Sequence, residues 1–258
     1  MLPHMLMMPL KTVVHLVSNL IPASNSEEFN REYQEVVLPT IELIDYCSRK
    51  NIKFVFFSSG GTVYGNLYDS VPIKENFETS PISYYGKSKK CIEDHIVQEH
   101  EINNLQYLVL RPSNAYGPGQ NVFGEQGLIG VAIRKVLRNE PLSVWGDGSC
   151  IRDYIYIKDL SYIVARLILD NVNNKTVNIS SGVGFSVNDI IDAVCEITGK
   201  TVTAHYLPTR KSDVASIVLD NTMMKQLISI GLTPLKLGIK EFYEYERAVL
   251  THAKLSDK

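Results

Sequence analysis

The sequence has few of the features that mark a secreted, metal-binding or nucleic-acid-binding protein. Its 26 lysines and arginines are balanced by 28 aspartates and glutamates, so no basic surplus favours a nucleic acid partner. No Cys-x-x-Cys pair and no histidine at zinc-ligand spacing accompanies the four cysteines, Cys47, Cys91, Cys150 and Cys195. We therefore expect neither a disulfide framework nor a metal site, and a reducing cytoplasm fits best.

Long hydrophobic runs are also missing. No stretch reaches the ~18 uninterrupted apolar residues of a membrane-spanning helix, so we expect no membrane association. The apolar start, MLPHMLMMPL, lacks the basic region and the small-x-small cleavage site of a secretory signal. The sequence thus predicts a soluble, cytoplasmic protein.

Glycine is absent from the first 59 residues, and the first one is Gly60. A dinucleotide-binding fold needs a glycine-rich turn after its first strand, because side chains would keep the backbone away from the pyrophosphate. Gly182 and Gly184 lie between a predicted strand and a predicted helix, but the third glycine of Gly-x-Gly-x-x-Gly is missing there. We interpret them as a connector rather than as a cofactor-binding turn.

Short apolar runs alternate with segments of helical periodicity, which is typical of a parallel α/β sheet. In the first half, strands are predicted at 12–17, 53–57 and 107–110 and helices at 27–50 and 84–101. Pro39 must kink the first helix or lie near a break in it. Residues 113–127 form a long polar loop. The elements predicted after it are 128–139, 142–145, 154–157, 159–170, 177–179 and 187–198.

The sharpest chemical signal combines a strand end with the start of a helix. The strand 53–57 runs into Ser-Ser-Gly-Gly-Thr, and Tyr85 and Lys89 are spaced four apart, hence on one helix face. A lysine ammonium beside a phenol lowers the tyrosine pKa, which makes Tyr85 a candidate general base and, in reverse, a general acid. Taken alone, this spacing also fits a solvated helix face; the strand-end loop before it favours the catalytic interpretation.

Seven stretches, in this order, carry a family resemblance: VVHL (13–16), KFVFFSSGGTVYG (53–65), YYGKSKK (84–90), LRPSNAYGPGQ (110–120), WGDGSCIRDYIYIKDL (145–160), VNISSG (177–182) and RKSDV (210–214). The sequence resembles the extended short-chain dehydrogenase/reductase family, or NAD-dependent epimerase/dehydratase family, and most closely its UDP-galactose (UDP-glucose) 4-epimerases.

The resemblance implies an α/β fold with a Rossmann-like parallel sheet and a smaller α/β C-terminal substrate-binding domain. We expect residues 1–112, completed by about 152–182, to form a partial NAD-binding domain, and 113–151 and 183–258 to form the sugar-nucleotide-binding domain. Family members begin with a glycine-rich strand–turn–helix and a second βα unit. The chain thus resembles an N-terminally truncated member that lacks ~60 residues, at ~30 per unit. We expect its NAD affinity to be severely reduced and its sheet edge to be exposed.

The resemblance also implies roles for the catalytic residues. The family tyrosine takes the proton of the sugar 4-hydroxyl while NAD accepts the hydride from C4; Tyr85 would be this base, and Lys89 would hold the nicotinamide ribose. Gly60 stands where the family has a catalytic serine or threonine, so Thr62 or Ser59 would supply the hydroxyl. No carboxylate precedes Val-Tyr-Gly, which disfavours dehydration. Further expected NAD contacts are Leu16, Val17, Ser18, Ser58 and Pro112.

On the substrate side, Asn114 and Arg152 match residues that hold the diphosphate of a sugar nucleotide. Arg210 and Asp213 match a pair that contacts diphosphate and ribose, which suits an arginine fork and a carboxylate. The alternatives are a helix-capping asparagine at 114 and surface ion pairs, Arg152–Asp153 and Arg210–Asp213.

Two functions remain open at this point. The first is NAD-dependent 4-epimerisation of a UDP-hexose, for surface polysaccharide or galactose metabolism. The alternative is a truncated, catalytically defective remnant or subunit that still binds a UDP-sugar. The family further implies a homodimer through the helices 27–50 and 84–101.

Overall fold

A computed structural model describes residues 10–66, 72–120, 126–209 and 216–256, with side chains to residue 251. The helices are α1 (Ser26–Glu32), α2 (Leu38–Arg49), α3 (Tyr84–Asn103), α4 (Leu128–Arg138), α5 (Ile157–Leu169), α6 (Val187–Thr198), α7 (Thr222–Leu227) and α8 (Leu235–Ser256). The strands are β1 (Thr12–His15), β2 (Lys53–Phe57), β3 (Tyr107–Pro112), β4 (Asn114–Tyr116), β5 (Leu142–Trp145), β6 (Ile151–Tyr156), β7 (Lys175–Ile179), β8 (Gly184–Ser186), β9 (Ala204–Leu207) and β10 (Ser216–Ile217).

Four parallel strands form the main sheet, in the order β1-β2-β3-β7. Successive residues of a strand face opposite sides of a sheet, and β2 is buried on both. Phe54 packs with Ile44 of α2 and Ile96 of α3, whereas Val55 packs on the other side with Ile163 of α5. The predicted Rossmann-like parallel sheet is therefore confirmed, and the structure adds that helices cover both of its faces.

A second hydrophobic core lies in the C-terminal half. It joins α4, α6 and α8 to β5 through residues such as Ile133, Leu142, Val194 and Phe242. Next to it, β10, β6 and β4 form a small sheet on which β8 pairs antiparallel with β6, while β5 and β9 pair in parallel. These elements include the ranges assigned above to substrate binding; the division into two domains stays a prediction.

The α-helical pattern is interrupted directly before Pro39, which agrees with the prediction that this proline lies near a break. A π-helical turn, Tyr33–Val37, joins α1 directly to α2. A proline inside an α-helix lacks the N–H that would bond to the carbonyl four residues earlier, and its ring clashes with that carbonyl. Here that residue is Glu35, inside the π turn, where the hydrogen-bond pattern is already shifted.

The expected loop at 113–127 is wrong in one part. Residues Asn114–Tyr116 form β4, in parallel register with β6, so that Asn114 lies beside Tyr154. Within the described residues, no helix is long and apolar enough to cross a membrane.

Candidate active site

Tyr85 and Lys89 lie in the first two turns of α3, against the loop that follows β2. Ser83 caps this helix, since its hydroxyl accepts a hydrogen bond from the Gly86 amide at 3.1 Å. A Cβ at Gly86 would come within 2.8 Å of the Thr62 carbonyl oxygen. The absence of a side chain at Gly86 therefore lets the start of α3 pack closely on the loop, which brings Tyr85 close to the serines of that loop.

The electrostatics of Tyr85 differ from the sequence-based expectation. Burial raises the pKa of Tyr85, a hydrogen bond with Ser59 lowers it, and the negative charge of Glu32 raises it. The Lys89 ammonium lies 5.6 Å from the centroid of the Tyr85 ring. The predicted lowering of the Tyr85 pKa is thus wrong for this structure, because desolvation of the phenolate outweighs the stabilising contacts.

Lys89 is a buried cation, 3% exposed. Burial lowers its pKa to about 8, against an opposing effect of the Glu32 charge. Its ammonium lies 5.1 Å above the Phe56 ring, and its charge adds to burial in lowering the pKa of His15. At neutral pH Lys89 is charged in a largely apolar setting, which suits a residue that stabilises a neighbouring anion.

The loop after β2 explains the missing hydroxyl at position 60. A Cβ at Gly60 would come within 2.4 Å of Leu219 Cδ1 and 2.9 Å of the Arg111 carbonyl oxygen, so no side chain fits there. Ser59 lies near enough to the Tyr85 phenol for its hydrogen bonding to lower the Tyr85 pKa, whereas Thr62 Oγ1 is buried without a partner in the described part of the chain. The geometry therefore favours Ser59 as the hydroxyl donor, and both assignments stay predictions.

The predicted cofactor contacts gather at one edge of the sheet. Leu16 and Val17 follow β1 and are exposed by 60% and 55%. Ser58 follows β2, Pro112 ends β3, and Ser18 donates to Glu32 Oε1 at 2.9 Å. The carboxyl ends of adjacent parallel strands form the usual ligand crevice of such sheets. These five positions lie at this edge, and their contacts with NAD stay a prediction.

The residues fit one half of NAD. Ser58 Oγ is buried without a hydrogen-bond partner in the described residues, and it lies on the same edge as the buried Lys89 and the exposed Leu16 and Val17. This combination suits a nicotinamide ribose with its polar hydroxyls and apolar ring. For the pyrophosphate half, this sequence supplies no glycine before Gly60.

The predicted substrate residues line a cavity of about 930 Å³, which contains Asn114, Arg152, Trp145 and Tyr154. Asn114 belongs to β4 and donates to the Asp153 carbonyl oxygen at 2.9 Å, so the alternative of a helix cap is wrong. Arg210 and Asp213 lie outside the described residues.

The alternative Arg152–Asp153 ion pair is absent from the described residues. Arg152 donates to the Ile151 carbonyl oxygen at 2.8 Å. The Asp153 carboxylate instead accepts hydrogen bonds from Ser181, at 2.8 Å from its hydroxyl, and from the Gly182 amide at 3.0 Å. Arg152 therefore faces the cavity without this partner, and Gly182 serves the connector role predicted for it.

Sequence reasoning missed two charged residues. Arg134 of α4 lines the cavity, and its Nε is buried with no hydrogen-bond partner among the described residues; an arginine within the apolar run LIGVAIRKVLR was the available signal. Glu32 is only 2% exposed and influences both Tyr85 and Lys89. The groups that hydrogen-bond to Glu32 lie 13 and 14 positions away in the sequence, so no local sequence pattern indicated its role.

One further group lies away from this site. Donor atoms of Asp45, His95 and Glu99 come within 4.8 Å of one another, on α2 and α3. His95 Nε2 and Asp45 Oδ1 are 2.9 Å apart, as in an ordinary ion pair. The expectation that the protein has no metal site remains a prediction.

The comparison with known families decides the family. Residues 5–180 match the sequence model of the NAD dependent epimerase/dehydratase family. The chain belongs to this family. A Methanocaldococcus jannaschii relative, provisionally named UDP-glucose 4-epimerase, is 38% identical over 208 residues, or 79% of this chain. The match spans 66% of the length of that relative.

Solved structures of the family share the fold. UDP-glucose 4-epimerase of Thermotoga maritima, with UDP-glucose, matches at a TM-score of 0.86 and 32% identity, over 93% of this chain and 78% of that one. The Thermus thermophilus UDP-glucose 4-epimerase, in complex with NAD, matches at 0.84 and 25% identity, over 92% and 78%. The Rossmann-like architecture of the family thus extends over nearly all of this chain.

Proposed function

We propose that this chain carries the catalytic and substrate-binding parts of an NAD-dependent 4-epimerase for a UDP-hexose, in surface polysaccharide or galactose metabolism. The observation that carries the proposal is the convergence of Tyr85, Ser59 and Lys89 at the carboxyl edge of the parallel sheet. The names of the relatives, all UDP-glucose 4-epimerases in the comparisons above, support the substrate class.

In this proposal Tyr85 moves the proton of the sugar 4-hydroxyl. The Ser59 hydroxyl, whose hydrogen bonding lowers the pKa of Tyr85, would also bond to the oxygen of the sugar 4-hydroxyl. Lys89 would hold the nicotinamide ribose. Bound NAD would supply the chemistry of accepting the hydride from C4 and returning it to the other face of the 4-keto sugar. Tyr85 returns the proton after the sugar has turned over, so one residue acts as base and then as acid.

The same loop argues against dehydration. Gly61 and Thr62 precede Val63 and Tyr64, and neither carries a carboxylate that could protonate a leaving hydroxyl. Without such a second acid, the loop supports a reaction in which Tyr85 alone removes one proton and later returns it, as in epimerisation.

The cavity beside this edge would hold the nucleotide. Asn114 offers an amide, and Arg152 and Arg134 offer guanidinium groups suited to diphosphate oxygens. Trp145 lines the same cavity and offers a flat surface for a base. Arg210 and Asp213 would add diphosphate and ribose contacts.

The substitution Tyr85→Phe tests the proposal. It removes the phenol oxygen and keeps the ring, so conversion of UDP-glucose to UDP-galactose should fall by at least ~1,000-fold, as expected for loss of general acid–base catalysis. Calorimetric titration with UDP-glucose should give an unchanged affinity. Tyr84→Phe, on the neighbouring residue, is the matched control and should keep its turnover; retained turnover in Tyr85→Phe would remove this residue from its role.

A second candidate is a sugar-nucleotide-binding subunit without turnover of its own. It is favoured by the raised pKa of Tyr85, since a buried phenol that keeps its proton is a poor general base. Calorimetry with NAD and with UDP-glucose separates the two, because the subunit would bind only the sugar nucleotide.

We also propose a homodimer through the predicted helices 27–50 and 84–101. The proposal rests on the family resemblance, and a second copy would cover Tyr46 and Val97, which are 46% and 37% exposed on these helices. Light scattering should give twice the mass of the chain; a monomer mass at micromolar concentration would contradict the dimer.

A further inference from the structure

A buried carboxylate, Glu32, lies beside the candidate catalytic pair without an obvious reason to be charged there. It ends α1 and is 2% exposed. Ionised carboxylates are rarely buried unless they are paired or hydrogen-bonded. Among the described residues no lysine or arginine forms an ion pair with Glu32, so hydrogen bonds must stabilise its carboxylate.

Both carboxylate oxygens bond to the segment that follows β1. Oε1 accepts from the Ser18 hydroxyl at 2.9 Å, and Oε2 accepts from the Asn19 amide at 2.9 Å. Ser18 Oγ in turn accepts from the Leu20 amide at 3.3 Å. A single side chain thus orders residues 18–20, directly after Leu16 and Val17 at the candidate cofactor edge.

The charge of Glu32 also reaches the catalytic pair. It raises the pKa of Lys89 against the larger effect of burial, and it adds to burial in raising the pKa of Tyr85. The other polar neighbours that act on the pair are the Ser59 hydroxyl, on Tyr85, and His15 of β1, which is coupled to Lys89.

We infer that Glu32 is a positioning residue of this site: its buried carboxylate fixes residues 18–20, directly after Leu16 and Val17, and places a negative charge near Lys89. This role rests on the proposed function, since it serves the proton transfer of Tyr85. The arrangement explains why a charge is kept in a buried position with hydrogen-bond donors on both oxygens.

The charge effect has a defined sign. Removing a negative neighbour makes the ammonium form of Lys89 less stable, so its pKa falls below about 8. In Glu32→Gln, Lys89 therefore loses its proton at a lower pH than in the original chain. The Tyr85 pKa falls as well, because the phenolate no longer faces a carboxylate.

An NMR titration of ¹³C-labelled lysine side chains measures this directly. The chemical shift of the Lys89 Cε changes when the amine loses its proton and needs no access for a reagent to this buried side chain, so its pH dependence reports the protonation of Lys89 without any turnover. Glu32→Gln keeps the shape of the side chain, and we expect the midpoint to fall by about one unit, a typical effect of a nearby charge. Glu35→Gln, an exposed carboxylate three residues away, is the matched control and should leave the midpoint in place.

A second variant separates the two parts of the role. Ser18→Ala removes the hydroxyl between Glu32 and the Leu20 amide but keeps the charge. Hydrogen exchange at 18–20 should become at least ~5-fold faster, as expected for loss of about 1 kcal/mol of hydrogen bonding, with the Lys89 midpoint unchanged. Thermal melting confirms that each variant is folded.

The outcomes distinguish this inference from the proposed function. An unchanged Lys89 midpoint in folded Glu32→Gln overturns the role of Glu32, whatever the turnover of the original chain. A midpoint that falls in Glu32→Gln alone supports that role even if the chain converts no UDP-glucose, in which case the proposed function fails by itself.

Discussion

At the scale of single residues, neighbouring atoms limit which side chain a position in the site can hold. Gly60 is the clearest example, because the space for its missing side chain is occupied by Leu219 and by the backbone of Arg111. A Cβ built at its neighbour Gly61 would instead make only ordinary van der Waals contacts, with Asn114 Oδ1 at 3.9 Å and Ser59 Oγ at 4.0 Å.

This contrast gives a paired test. Gly60→Ser would restore the family hydroxyl in sequence but should destabilise the fold by ~1–3 kcal/mol, the usual cost of overpacking. Gly61→Ser should stay within ~0.5 kcal/mol of the original chain, as is usual for a substitution that meets no conflict. Urea denaturation measures both. Equal stability of the two variants would show that Leu219 moves aside and that position 60 is free to carry a hydroxyl.

Residue-scale prediction from the sequence succeeded where the chemistry is local. Tyr85 and Lys89 share a helix face because of their spacing, and Asn114 and Arg152 line one cavity. Glu32 was missed because its hydrogen bonds join residues 13 and 14 positions apart across a loop. The raised pKa of Tyr85 was missed because burial, which no local pattern reports, sets it.

At the scale of elements, α3 is held to β3 by a buried ion pair. Arg111 donates to the two carboxylate oxygens of Glu93, at 3.0 and 2.6 Å, and also to the Tyr64 hydroxyl at 3.0 Å. Tyr64 donates onward to Asn178 Oδ1 of β7 at 2.8 Å. This network fixes the helix that carries Tyr85 against the sheet and against the loop after β2.

Breaking one partner of that pair should be costly. Glu93→Ala leaves the Arg111 guanidinium buried and unpaired, so the free energy of unfolding should fall by about 3–5 kcal/mol. The control is Asp94→Ala on the same helix, which removes the exposed ion pair with Lys90 and should cost less than ~1 kcal/mol. Similar losses in guanidinium denaturation for both variants would mean that the buried network does not anchor α3.

The elements themselves were predicted unevenly. β2 and β3 are buried apolar runs, which have a strong sequence signal, and both were located. β4 has only three residues within a polar loop, and it is a strand because β6 pairs with it. The break before Pro39 is a π turn, which residue periodicity does not indicate.

At the scale of the whole molecule, the proposed activity needs two regions to act together. The carboxyl edge of the main sheet supplies Tyr85 and Lys89, and the cavity next to the small sheet supplies Arg152 and Arg134. Asn114 connects them, since β4 follows β3 directly and pairs with β6. Changes in the cavity should therefore affect sugar-nucleotide binding more than stability.

Arg152→Ala tests this division of roles. Loss of charge-assisted hydrogen bonds, at about 1.5–3 kcal/mol, should weaken UDP-glucose binding by roughly 10- to 100-fold in calorimetry. Arg166→Ala removes an arginine whose partner is Asp170 on the outside of α5, and it should leave the affinity unchanged. Equal affinities of the two variants would place the nucleotide outside this cavity.

The most direct test of the account is the conversion of UDP-glucose to UDP-galactose by the purified chain with added NAD, followed by NMR. The account predicts interconversion of the two sugars at C4, dependent on NAD and lost in Tyr85→Phe. No conversion from a folded chain that binds both NAD and UDP-glucose would contradict it, because Tyr85, Ser59 and Lys89 would then lie beside the bound groups without acting on them.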